Sequence, residues 1–90
     1  MDKKLKAKWV KALRSGKFEQ GQKALRIGNT YCCLGVLCEV AEFKSTHSGI
    51  MLNEHGHAFL DADTQERLAM FNDNGRSFQW IASYIQRYIR

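Results

Sequence analysis

The first apolar positions of the chain, Leu5, Trp9, Ala12 and Leu13, fall within about a quarter of a helical wheel turned at 100° per residue. That spacing predicts an amphipathic helix over residues 2–14. Asp2 suits its electropositive start, Arg14 suits its end, and Gly16 supplies the stop. On the far side Lys4, Lys8 and Lys11 lie together at spacings of four and three. Between Lys17 and Asn29 the periodicity is lost, which supports a loop with one short strand or an irregular second helix. Ala24 to Ile27, then Gly28-Asn29, then Thr30-Tyr31 fit a small hairpin, because Gly-Asn makes a good two-residue turn. A loop leading into a helix capped by Asn29 or Thr30 is the competing reading.

The most apolar segment, Tyr31-Cys32-Cys33-Leu34-Gly35-Val36-Leu37-Cys38, holds all three cysteines. On a wheel from Tyr31 to Phe43, one face carries Leu34, Leu37, Cys38 and Ala41, and Cys33, Val36 and Val40 cover much of the other. Gly35, Glu39 and Glu42 leave only a narrow polar edge. A helix that is apolar nearly all round is buried between other elements. Past the polar residues 44–49, Ile50-Met51-Leu52-Asn53 and His57-Ala58-Phe59-Leu60 flank Glu54-His55-Gly56 and predict a short β-hairpin. Asp63, with Glu66 at capping-box spacing, starts a short helix whose Leu68, Ala69 and Phe71 point inward and which Asn72-Asp73-Asn74-Gly75 ends. Ser77 caps the last helix, where Phe78, Ile81, Ala82, Ile85 and Ile89 form one stripe. The expected fold is one α+β domain over residues 1–90. About four helices and a small antiparallel hairpin pack around the cysteine-bearing helix.

Charge changes this picture more than composition does. Residues 1–26 hold nine basic residues against two acidic ones, whereas the remainder holds five basic and seven acidic. The N-terminal third is therefore a candidate surface for an anionic partner, with a merely solvated lysine-rich helix as the bland alternative. No run approaches the roughly 18 apolar residues of a membrane span, and no apolar leader follows the basic start. With an odd cysteine count, two of them adjacent, this makes a cytoplasmic protein the expectation.

The cysteines have three readings. Core packing uses Cys as a small hydrophobe. Zinc needs thiolates in pairs plus further ligands, and nothing near Cys33 and Cys38 completes such a set. A reactive thiol at Cys32 or Cys33, near the helix start, is the minority alternative. His55 and His57 make half a metal site at best. No phosphate-loop, dinucleotide, nucleophile-elbow or zinc-protease motif is present, so neither a cofactor nor a metal is expected. On the last helix Trp80, Tyr84 and Arg87 stand at spacings of four and three away from the apolar stripe, where they would touch one another. Two aromatics and an arginine on a solvent face stack bases or anchor a protein, unless a neighbouring helix covers them.

Taken together, Trp9-Val10-Lys11-Ala12-Leu13-Arg14-Ser15-Gly16, Gln20-Gly21 with Ala24-Leu25-Arg26, the cysteine segment, and Phe71-Asn72-Asp73-Asn74-Gly75-Arg76-Ser77-Phe78 with Ile81-Ala82 form a distinctive set. In these motifs the chain resembles a family of small phage and prophage proteins, with the likeness fading over residues 44–62. The resemblance implies an accessory protein that acts against a host defence system in the host cytoplasm rather than a metabolic enzyme. The leading expectation is capture of an anionic ligand, a nucleotide signal or a nucleic-acid segment, by Lys23, Arg26, Arg76, Trp80, Tyr84 and Arg87. The alternative is an inhibitor that docks on a host protein through Lys4, Lys8 and Lys11 or through the aromatic patch. An enzyme using a cysteine or histidine ranks third, and a homodimer through the terminal helix is compatible with so small a core.

Overall fold

The computed structural model describes residues 1–22, 24, 26–41 and 60–89. In chain order these form α1 (Lys3–Arg14), β1 (Glu19–Gln20), β2 (Arg26–Ile27), β3 (Thr30–Tyr31), α2 (Cys33–Val40), α3 (Ala62–Asp73) and α4 (Phe78–Tyr88). The fold is α+β, with four helices and a small mixed sheet among the described residues. The hairpin expected around Glu54-His55-Gly56 lies outside the described residues, apart from Leu60, which is buried.

The helices begin where side-chain acceptors meet orphan N–H groups. Asp2 accepts from the Leu5 N–H at 2.8 Å, and Ser77 Oγ accepts from the Trp80 N–H at 3.1 Å. In α3 the cap is Asp61 rather than Asp63: its carboxylate accepts from the Thr64 N–H at 2.7 Å. Those hydrogen bonds from Thr64 hold the Asp61 carboxyl below its ordinary range. Asp63 instead becomes a first-turn acid, where the helix dipole still favours it. At the other end of α3, Gly75 sits at φ +90°, which lets the Arg76 N–H reach back to the Phe71 carbonyl at 3.0 Å.

Between α1 and α2 the chain makes a three-stranded sheet of two-residue strands in the order β1-β3-β2, with β1 parallel and β2 antiparallel to β3. The β2–β3 pair turns at Gly28-Asn29, so the hairpin reading of this region is the observed one, and Cys32 rather than Asn29 or Thr30 is the N-cap of α2. β1 lies close enough to β3 that a Cβ on Gly21 would come within 2.6 Å of Thr30 Oγ1. Only glycine fits that approach.

The interior is built on α2. Cys33 to Cys38 are buried without interruption, packed with Trp9 and Leu13 of α1, Leu68 of α3 and Ile81, Ala82 and Ile85 of α4. The observed α2 is shorter than the segment from Tyr31 to Phe43 that the wheel suggested. Cys32 makes no side-chain cap bond at its start. Instead the Cys33 N–H donates to Asn72 Oδ1 at 3.2 Å. Asn72 is fully buried and also accepts from Gln20 Nε2 (2.9 Å) and donates to the Gly21 carbonyl (2.7 Å). Gln20 in turn donates to the Arg76 carbonyl (2.7 Å) and accepts from the Phe78 N–H (3.2 Å). These two amides tie β1, α2, α3 and the start of α4 together, with every buried polar side-chain atom of the described residues satisfied. The Trp9 indole closes the other side by donating to the Cys33 carbonyl at 2.9 Å.

Candidate functional site

The thiols are core. Cys32, Cys33 and Cys38 are all buried and unbridged, and burial raises each of them; that of Cys38 is pushed up to about 11. A thiol held protonated well above neutral pH is a poor nucleophile and a poor metal ligand. Among the described residues, no three His, Cys, Asp or Glu side chains gather to hold a metal ion.

Cations and aromatic rings gather instead on the two flanks of α4. One flank faces α1, where an open groove of about 710 Å³ is lined by Lys3, Lys6, Ala7, Val10, Lys11, Arg14 and Gln86. Val10 and Ala7 supply apolar surface and four cations surround it. Neither α1 nor α4 contains an Asp or Glu within its helical residues. Arg14 is committed to the helix junction, since its guanidinium donates to Gln86 Oε1 at 3.0 Å and Ser83 Oγ at 3.1 Å. Lys6 Nζ leans to the Gln86 carbonyl at 3.4 Å. Lys3 and Lys11 have no side-chain hydrogen bond or ion pair among the described residues, so their charge is open to a ligand.

The other flank carries a ladder of rings. Trp80 and Tyr84 stack with centroids 5.8 Å apart and planes 16° from parallel, and Tyr88 continues the row 4.8 Å beyond Tyr84. Phe71 of α3 sits edge-on beneath both Trp80 and Tyr84, 4.9 Å from each. The Arg76 guanidinium lies 4.6 Å from the Trp80 ring centre and Arg87 5.8 Å from that of Tyr88, within cation–π range. Arg67 donates to the Tyr84 hydroxyl at 3.5 Å, which reinforces its positive charge. Trp80 is 37% exposed and Tyr88 60%, so the ladder is open mainly at its Tyr88 end.

The structure brings Arg76, Trp80 and Tyr84 together and places Arg87 over Tyr88. Arg26 belongs elsewhere: it pairs with Glu39 at 3.6 Å and lies over the Tyr31 ring at 5.2 Å, on the sheet edge formed by β2. Lys23 lies outside the described residues. Of the expected basic stripe, Lys11 lines the groove while Lys4 and Lys8 are exposed beyond it. Lys3, Lys6 and Arg14 are groove residues that the helical wheel of α1 did not single out. Tyr88 was within reach of the same spacing argument, one further step of four beyond Tyr84.

Four helices with a small sheet, closed over buried thiols and cationic on one helix pair, define a small α+β domain. By sequence the chain belongs to the family described as Domain of unknown function (DUF8296), whose profile matches residues 1–51. That region contains α1, the sheet and α2, hence the four groove cations, whereas the ring ladder lies beyond it. No curated protein and no solved structure matches the chain. No helix among the described residues is long and apolar enough to cross a membrane.

Proposed function

We propose that the protein is a non-enzymatic binding protein that captures an anionic ligand of the nucleotide or nucleic-acid class. The observation that carries this reading is the groove of Lys3, Lys6, Lys11 and Arg14 over Val10 and Ala7, in a helix pair whose one carboxylate, Asp2, is engaged as the cap of α1. Phosphate oxygens accept charge-assisted hydrogen bonds from ammonium and guanidinium groups, and a polyanion adds the entropy of released counterions. The protonated, buried thiols favour binding over cysteine chemistry. The resemblance to small phage and prophage proteins supplies a setting in which such capture withholds a nucleotide signal or a nucleic-acid segment from a host defence system.

Calorimetry with cyclic and linear nucleotides, together with filter binding of single- and double-stranded DNA at two salt concentrations, tests the reading. Binding is expected, with the logarithm of the association constant falling against log salt at a slope of about −2 to −3, as three or four neutralised phosphates require. The double substitution Lys3→Glu with Lys11→Glu abolishes it. Absence of binding by every anion tested rejects the proposal. A second reading, an inhibitor of a host protein, is favoured by the residue types of the ladder, because Trp, Tyr and Arg dominate protein-interface hot spots. Stoichiometric capture of a host protein by a chain that binds no nucleotide replaces the first reading with the second.

A further inference from the structure

The groove and the ladder meet on α4, which lends Gln86 to the one and Trp80, Tyr84 and Tyr88 to the other. At 100° per residue, Ser83 and Gln86 turn toward α1, Arg87 stands near the crest opposite Ile85, and Trp80, Tyr84 and Tyr88 turn step by step toward α3. Ser83 and Gln86 are the residues that receive Arg14 from α1, and Arg87 is the cation that lies over Tyr88. A continuous path therefore runs from the cationic groove, over one arginine, to the exposed end of the ring row. Its width is that of one helix, about 10 Å, and the row from Trp80 to Tyr88 is about 12 Å long at 1.5 Å per residue.

Resting on the anion-binding reading above, we infer that the ligand is a single-stranded nucleic acid laid across α4, with phosphates in the Lys3, Lys6, Lys11 and Arg14 groove and a base stacked on Tyr88. Each half of the path excludes a different alternative. The rings need unstacked bases, and a duplex keeps its bases turned inward. A duplex is also stiff over roughly 150 base pairs and does not fold over a helix-wide crest, whereas a single strand does. A mononucleotide or a polyphosphate, in turn, occupies the groove or the ladder but cannot span both. Within the ladder the more accessible ring is Tyr88: Trp80, 37% exposed, has Arg76 4.6 Å from its centre and Tyr84 stacked beside it, while Tyr88, with Arg87 farther off at 5.8 Å and only the tilted ring of Tyr84 against it, remains 60% exposed. Arg87 at the crest serves the phosphate between the groove and the stacked base.

Fluorescence anisotropy with a labelled oligothymidylate of about 12 nucleotides, a duplex of the same length, inorganic polyphosphate and ATP separates the two levels of the argument; the lengths follow the few-nucleotide site sizes of single-strand binders. The single strand is expected to bind at least tenfold more tightly than the other three. Tyr88→Ala is expected to weaken single-strand binding by about tenfold and leave polyphosphate binding unchanged, and Tyr88→Phe to restore it. Lys11→Glu is expected to weaken all four. Equal affinity for single strand, duplex and polyphosphate, or no loss in Tyr88→Ala, overturns the inference and leaves the anion-binding reading standing. Failure of all four to bind overturns both. Because Tyr88 is exposed at the end of α4, circular dichroism of Tyr88→Ala is expected to match the parent, so lost affinity is not lost fold.

Discussion

The surroundings of Asn72 and the outer flanks of α4 use similar ingredients to opposite ends. Around Asn72, amides, backbone groups and an indole meet at the edge of the core, and among the described residues each buried side-chain donor and acceptor is matched: Gln20, Gly21 and Cys33 surround the one side chain, and Trp9 closes on Cys33. On the flanks of α4, cations and rings also meet, but Lys3 and Lys11 lack partners among the described residues and Tyr88 keeps most of its surface in water. A buried polar group left unmatched is costly, so the first arrangement must be complete to exist. An exposed cation is solvated whether or not it is paired, so the second arrangement can persist unfilled and wait for a ligand. The two regions should therefore separate cleanly under mutation, the interior changing stability and the flanks changing binding.

The largest effect is expected from Trp9→Ala, which opens a cavity against α2 and strands the Cys33 carbonyl. Urea unfolding should report a loss of about 3–5 kcal/mol, enough to unfold so small a domain in part. Asn72→Ala should follow at about 2–3 kcal/mol, since it removes little volume but leaves the Cys33 N–H and the Gly21 carbonyl without partners. Ser77→Ala, which deletes the cap of α4, should cost about 1 kcal/mol and is the intermediate case, because the same helix carries both regions. Tyr88→Ala should change stability by less than about 1 kcal/mol while reducing binding. A binding loss in Asn72→Ala, measured under conditions where it is folded, would blur the comparison.

Alkaline pH sharpens it from the other direction. Cys38 has an ordinary value of 9.0 and is raised by burial to about 11 in the native chain. Between those values the unfolded chain has lost the proton and the native chain has kept it, so stability falls as pH rises through that window. Urea midpoints from pH 8.5 to 11 should therefore decline, and Cys38→Ala should remove part of the slope. In the same spirit, a thiol reagent should label the native protein only as fast as it opens.

Much of the interior was legible in the sequence, and for a simple reason: α1, α2 and α4 bury runs of apolar residues whose spacing is local. Trp9 and Leu13, the uninterrupted Cys33 to Cys38 segment, and the Phe78, Ile81, Ala82 and Ile85 stripe all follow from periodicity. Asn72 was read only as a helix stop, because its partners lie at Gly21 and Cys33 and leave no trace in its own neighbourhood. The choice of Asp61 over Asp63 likewise depends on packing, since Gln65 and Leu68 must face inward together and Gln65 must reach the Leu60 carbonyl. The candidate site was legible by half. Trp80 and Tyr84 share one helix, so spacing found them. The groove depends on where α4 crosses α1, beside Val10, and that crossing converts Lys3, Lys6 and Arg14 from a solvated helix face into the wall of a cleft.

Backbone and indole chemical-shift mapping during titration with a short oligothymidylate tests the central claim most directly. Perturbations are expected at Lys3, Lys6, Lys11, Arg14, Gln86, Arg87 and Tyr88, with Cys33 to Cys38 and Asn72 unmoved. Perturbations centred on the cysteine helix, or a titration that shifts nothing, would contradict it.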